Sequence, residues 1–176
     1  ASYYLYDAAD RQIAVIDPLG AVSYMNYDAR GQVTEQIDPR GWATLHFYDC
    51  LQREYATEDA DLNVNYYQFD AASQTVAHIG PRGGVSYMLY DDAGRMVAQV
   101  NPIGRVNYTH YDAVGRTIAT IAQCGRVSYY NYDILGRQTQ VIDPLGNEFE
   151  TQYDAAGNRI ASEDAEDGLS YYDYDA

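Results

Sequence analysis

The pair Tyr-Asp stands at residues 6, 27, 48, 90, 111, 132, 153 and 174, with Phe69-Asp70 completing the series, so every step is 21 residues and nothing interrupts the count. A chain built of one short unit used eight times cannot organise a single unique core. Each copy must take the same local structure and bury itself against its neighbours. With the Tyr as position 1, all five prolines (Pro18, Pro39, Pro81, Pro102, Pro144) fall at position 13. Most glycines fall at position 5 (Gly31, Gly94, Gly115, Gly136, Gly157) or position 15 (Gly20, Gly41, Gly83, Gly104, Gly125, Gly146). Residues 1–176 are therefore read as a single array with no separate domain.

Two runs in each repeat are rich in strand formers. Positions 7 to 11 give Gln12-Ile13-Ala14-Val15-Ile16 and Met96-Val97-Ala98-Gln99-Val100, and positions 16 to 21 give segments such as Val85-Ser86-Tyr87-Met88. Both are of strand length and neither holds a helical stripe. Between them lie Asp-Pro-x-Gly and Tyr-Asp-x-x-Gly. In the first, Asp opens the turn, Pro presets φ and Gly closes it; in the second, the Asp carboxylate caps the turn and Gly takes the left-handed conformation. The expectation is an all-β antiparallel ribbon of hairpins. At roughly 4.8 Å per strand, each repeat advances about 9.5 Å, and a ribbon of about sixteen strands should wind into a spiral shell, tube or filament wall rather than lie flat. Tyr4, Tyr67 and Tyr130, three repeats apart, hint at about three repeats per winding turn.

The period also sets a parity condition. Side chains alternate faces every two residues, yet 21 is odd, so strict pairing would turn each position inside out at the next repeat. One bulge per repeat is required, and a type I turn with a following Gly bulge is the expected device. Ala is common at position 9 and Tyr at position 19 on the next strand, so small and large side chains should interdigitate, with tyrosines serving as packing.

Composition removes several function classes. The chain carries 11 basic residues, all Arg, against 26 acidic ones, for a net charge of −15, which leaves no positive face for nucleic acid or an anionic membrane. Arg on a Tyr-rich surface stacks as well as pairs. Cys50 and Cys124 occupy unrelated positions and read as free thiols on turns. No signal peptide, apolar membrane run or initiating Met is present, so the chain reads as a mature fragment or an excised section.

Tyr111-Asp112-x-x-Gly115-Arg116 and Tyr132-Asp133-x-x-Gly136-Arg137, followed by Asp143-Pro144-Leu145-Gly146, resemble the YD repeat of Rhs proteins, teneurins and the cocoon components of insecticidal toxin complexes. The resemblance implies a β-hairpin ribbon spiralling into a hollow shell within large secreted or cell-surface proteins, with a role in scaffolding, encapsulation or display. It marks as motif residues Tyr6, Asp7, Tyr27, Asp28, Gly31, Asp91, Gly94, Arg95, Asp112, Gly115, Arg116, Asp133, Gly136 and Arg137, together with Pro18, Gly20, Pro102, Gly104, Pro144 and Gly146.

Catalytic chemistry is not expected. Asp17, Glu35, Asp38 and Glu58 could be paired as in a glycosidase, but turn aspartates are iterated where a catalytic pair should be unique. His46, His78 and His110 share no repeat position. No cofactor is expected; acidic turns could attract calcium, but the Gly-Gly-x-Gly-x-Asp repeat of calcium-binding β-rolls is absent. The leading expectation is an extracellular structural protein. Its ends, Ala1–Ala8 and Leu169–Ala176, stand in the same phase of the pattern. As open edge strands they would pair head to tail between copies, favoured by acid or divalent ions because of Asp173 and Asp175. The alternatives are a cell-surface adhesion or glycan-binding module, for which Trp42, His46, Cys50 and Tyr55 form the one candidate cluster, and a fragment of a toxin-encapsulating cocoon.

Overall fold

The computed structural model describes residues 1–166 and 168–174; Asp167, Asp175 and Ala176 lie outside the described residues. The described chain is all antiparallel strand and turn, with seventeen strands in one sheet. In chain order they are β1 (Tyr3–Tyr6), β2 (Gln12–Ile16), β3 (Val22–Tyr27), β4 (Val33–Ile37), β5 (Ala43–Tyr48), β6 (Glu54–Glu58), β7 (Val64–Phe69), β8 (Thr75–Ile79) and β9 (Val85–Tyr90). They continue as β10 (Met96–Val100), β11 (Val106–Tyr111), β12 (Thr117–Ile121), β13 (Val127–Tyr132), β14 (Gln138–Ile142), β15 (Glu148–Tyr153), β16 (Arg159–Glu163) and β17 (Leu169–Tyr171). The chain divides into two compact units, residues 1–87 and 88–176. Within each unit, strands pack on their sequence neighbours, so each unit is one layer of sheet.

Among the described residues the two turns of a repeat share one local geometry, although only one of the two carries Pro. In Asp17-Pro18-Leu19-Gly20-Ala21, the Gly20 N–H donates to the Asp17 carbonyl at 3.0 Å and the Asp17 N–H to the Ala21 carbonyl at 2.9 Å. In Asp28-Ala29-Arg30-Gly31-Gln32, the corresponding bonds are 3.2 and 2.9 Å. In both, Asp Oδ1 accepts the N–H groups two and four residues on, at 2.8 and 2.8 Å for Asp17 and 2.8 and 2.9 Å for Asp28. The carboxylate thus supplies acceptors that the tight backbone lacks. The closing residue needs positive φ, +87° at Gly20 and +93° at Gly115, which Gly takes without a Cβ clash. Where the repeat drifts, Asp10, Gln52, Leu62 and Ser73 are held at φ of 59 to 66°, so the fold imposes the turn on residues that resist it.

Because both loops are the same length, the parity break lies elsewhere. Across the Asp-Pro-x-Gly hairpin the register runs unbroken, Ile16 opposite Val22, Val15 opposite Ser23 and Ala14 opposite Tyr24. Across the Tyr-Asp hairpin Tyr27 faces Val33 but Asn26 faces Glu35, leaving Thr34 without a partner. The same one-residue bulge recurs at Ile13, Tyr55, Val76, Ile118, Thr139 and Ile160. In these seven hairpins the expected single bulge is present, but at position 8 of the repeat, within the strand, rather than in a turn. All but one of these bulge residues are β-branched, which suits a twisted, extended backbone.

The buried core of the described residues is a row of alanines, Ala14, Ala56, Ala77, Ala98, Ala119 and Ala161, each at most 8% exposed. Every one faces a position-19 tyrosine across the Asp-Pro-x-Gly hairpin, Tyr24, Tyr66, Tyr87, Tyr108, Tyr129 and Tyr171 respectively. Where position 9 is not Ala, position 19 is not Tyr: Glu35 faces Leu45 and Gln140 faces Glu150. In the repeat before each of those two, position 21 is Asn (Asn26, Asn131), and its side-chain amide donates to the Glu35 or Gln140 side-chain oxygen at 2.6 Å. Small-on-large packing and polar pairing are two consistent solutions for the same three positions.

Candidate functional site

The Tyr-Asp edge of the sheet carries the side chains for which the repeat is named, and they bridge successive repeats. Arg116 sits four residues after Asp112 and clamps it, with Nε 2.6 Å from Asp112 Oδ2. Its other arm reaches the next repeat, donating from an η nitrogen to the Asp133 carbonyl at 3.1 Å. The guanidinium lies 4.9 Å from the centre of the Tyr132 ring. That ring is pinned from its far end, since the Tyr132 hydroxyl donates to the Thr117 carbonyl of the preceding repeat at 2.8 Å.

The same staple recurs. Arg11, Arg95 and Arg137 clamp Asp7, Asp91 and Asp133, stack on Tyr27, Tyr111 and Tyr153, and donate to the Asp28, Asp112 and Asp154 carbonyls. Arg53 clamps Asp49, stacks at 4.6 Å on Phe69 and donates to the Asp70 carbonyl, so the one Phe at position 1 keeps the stack and loses only the hydroxyl. A planar guanidinium can form the fork, the stack and the onward hydrogen bond together, which an ammonium cannot, and this accounts for the absence of lysine at the position. Gln32, at an Arg position, donates to the Gln52 carbonyl of the next repeat at 3.0 Å, a partial replacement.

Electrostatically the edge is set by its turns. Asp7, Asp49, Asp91, Asp112 and Asp133 are all held below the ordinary carboxylate value of 3.8. The largest cause for Asp7, Asp49 and Asp112 is the backbone N–H of the clamping arginine, and for Asp91 it is the guanidinium. At Asp133 desolvation pulls upward most strongly and is outweighed by Arg137. On the opposite edge, Pro18, Pro102 and Pro144 occupy the second turn residue, and Gly20, Gly104 and Gly146 close their turns at φ of 77 to 87°.

Sequence reasoning missed a cluster where the second repeat meets the third. His46 Nδ1 lies 2.7 Å from Glu54 Oε2, and the Tyr48 hydroxyl is 3.5 Å from the same oxygen and donates to the Val33 carbonyl at 2.9 Å. Desolvation, then the Glu54 charge, pushes the Tyr48 phenol up. The residues grouped with His46 on sequence grounds make separate contacts: Trp42 lies under the Arg40 guanidinium at 4.6 Å, Tyr55 tilts against Phe47, and Cys50 is an exposed free thiol, as is Cys124. Their separation in the repeat gave no sign of the His46–Glu54 pair, which depends on register. Among the described residues, no three His, Cys, Asp or Glu side chains converge to hold a metal.

These features define a repeat protein whose hairpins are stapled one to the next by arginine, tyrosine and aspartate. Residues 6–41 match the family model described as RHS Repeat, and the resemblance to the Rhs/YD-repeat family is thereby borne out. No curated protein matches the chain. Among solved structures, the chain is similar to TcdB2-TccC3 without its hypervariable C-terminal region (TM-score 0.59, 12% identity) and to TcdB2-TccC3-TEV (0.57, 12%). It is also similar to the Photorhabdus luminescens Tc holotoxin pore (0.51, 10%). The match covers 93% of this chain in each case but 11, 11 and 13% of those chains. At such identities the likeness is one of fold.

Proposed function

We propose that this chain is a structural wall segment, a stretch of hairpin ribbon in a secreted or cell-surface shell that encloses or displays rather than catalyses. The observation that carries this reading is the onward staple. Each repeat that carries the arginine (Arg11, Arg53, Arg95, Arg116, Arg137) completes its contacts only with the repeat that follows, so the unit is made to be continued. Similarity to toxin-complex structures of which this ribbon spans a small fraction supports the same reading. The outer backbone edges of β1 and β17 present ladder groups to which further repeats can add, from the same polypeptide or from a second copy. No observation favours an adhesion module, since Trp42, His46, Cys50 and Tyr55 do not form one site.

Electron microscopy of the purified chain over a range of concentrations tests the proposal. Filaments or tubes with a regular axial repeat support a wall-forming ribbon that adds copies end to end. Compact monodisperse particles at every concentration, with a saturable small ligand, would contradict it.

A further inference from the structure

The two faces of the ribbon differ, and one of them carries an arginine outside the staple. Across β16 and β17, Ala161 lies opposite Tyr171 on one face, while Ser162, opposite Thr151 and Ser170, lies on the other face with Tyr172. In this last repeat the staple position is Asn158, whose side-chain amide donates to Asp154 Oδ2 at 3.0 Å. The arginine stands one residue later, at Arg159, and it is the one arginine of the chain that lies inside a strand. Its guanidinium carbon is 4.3 Å from the centre of the Tyr172 ring, and Nη2 donates to the Tyr172 phenol oxygen. Ser162 Oγ is 3.2 Å from the same oxygen.

This arrangement reverses the role that the phenol plays in the staple. The hydroxyls of Tyr27, Tyr48, Tyr132 and Tyr153 donate to backbone carbonyls at 2.7, 2.9, 2.8 and 3.0 Å, and Tyr174 donates to the Arg159 carbonyl at 2.9 Å. A phenol that donates in this way keeps its proton. Tyr172 instead accepts from a fixed cation, which favours the phenolate, and the phenolate is the nucleophilic form. The Ser162 hydrogen bond, with the Arg159 charge behind it, holds the Tyr172 phenol below its ordinary value of 10.0 against the opposing pull of desolvation. The Tyr48 phenol moves the other way. No lysine competes as a nucleophile, since the chain has none.

We propose that Tyr172 is a covalent attachment site that accepts an acyl group from a neutral activated ester. The phenol oxygen attacks the carbonyl carbon of the ester and forms the new O–C bond. The bond to the leaving oxygen breaks and its electron pair departs with the leaving group, while the phenol proton passes to solvent. The product is an aryl ester on Tyr172, and transfer runs forward when the leaving group is more acidic than the phenol. Charge selects a neutral donor. The chain carries −15, and Glu163 and Asp164 follow Ser162 directly, so an anionic phosphoryl or sulfuryl donor is repelled. The site goes beyond the wall reading and does not depend on it.

The probe is p-nitrophenyl acetate, applied to the full chain carrying Cys50→Ser and Cys124→Ser so that its two exposed thiols do not compete. Tandem mass spectrometry over a time course locates each acetyl group. Tyr172 is expected to acetylate on the order of tenfold faster than any other tyrosine. Simple exposure predicts a different order, because Tyr171 and Tyr3 are 75 and 63% exposed whereas Tyr172 is half-buried. Arg159→Gln should bring Tyr172 down to the common rate, and Ser162→Ala should slow it. Arg159→Lys, which keeps a cation beside the phenol, should retain part of the advantage. Arg116→Gln, which removes a staple elsewhere, should leave the rate unchanged, and circular dichroism verifies that each variant folds. Labelling that follows exposure would overturn the proposal, and so would a Tyr172 rate unmoved by Arg159→Gln. Wall assembly seen by microscopy together with such labelling would sink this inference alone.

Discussion

Replacing Arg116 with Gln, the residue found at the equivalent position 32, removes one complete staple while leaving both turns their own backbone bonds. The lost stack on Tyr132 is worth about 0.5–1 kcal/mol at a partly exposed site, and the hydrogen bond to the Asp133 carbonyl about 1 kcal/mol. The clamp on Asp112 is a partly exposed ion pair and adds little after solvent screening. The expected loss is therefore about 1–2 kcal/mol, concentrated in the turn that Arg116 reaches. Native-state hydrogen exchange reads it locally: the Asp133 and Gly136 amides, bonded to the Arg137 and Asp133 carbonyls, should exchange roughly 5- to 30-fold faster, with amides of the first unit unchanged. Arg116→Lys keeps the charge but not the fork and stack, so it should recover less than half the protection. Unchanged exchange in the Gln variant, or full recovery with Lys, would refute the staple and leave only simple charge.

The position 9 and 19 pairing predicts that Gln140→Ala combined with Glu150→Tyr stabilises the chain by about 0.5–1 kcal/mol beyond the sum of the single changes, measured by urea denaturation; additive effects would mean the two do not touch. Leu62, held at φ 62° and exposed, should gain about 1 kcal/mol on replacement by Gly, seen as a higher melting temperature. Because the folded carboxyls of Asp7, Asp49, Asp91, Asp112 and Asp133 lie below 3.8, the stability they contribute is present above that value and is lost as pH falls through their folded values. An acid titration by circular dichroism should show unfolding below about pH 4, and Asp112→Asn should diminish that dependence while keeping the turn, as Asn101 does at 3.1 and 2.9 Å. A midpoint unmoved by Asp112→Asn would assign acid sensitivity to other groups.

Turns and strands were legible in the sequence because each is fixed by local chemistry: Asp at the first turn residue, Pro at the second, Gly at the left-handed one. The need for a bulge followed from the odd period, but its place did not, since both loops accept the same backbone and the break depends on pairing. A trace existed in the β-branched residues at position 8, Ile13, Thr34, Val76 and Ile118 among them. The staple was only half visible. Arg116 four residues after Asp112 announces the clamp, whereas its reach to a carbonyl 17 residues on requires knowing which turns lie side by side. The paired departures of Glu35 with Leu45 and of Gln140 with Glu150 were in the sequence as well, and become meaningful once the register sets those positions face to face.

Amide and α-proton nuclear Overhauser contacts across the β13–β14 hairpin test the register on which the fold, the staple and the two faces all depend. The account predicts contacts pairing Tyr132 with Gln138 and Asn131 with Gln140, with Thr139 skipped. Contacts pairing Asn131 with Thr139 in an unbroken ladder would contradict it, since every side chain beyond that point would then change face.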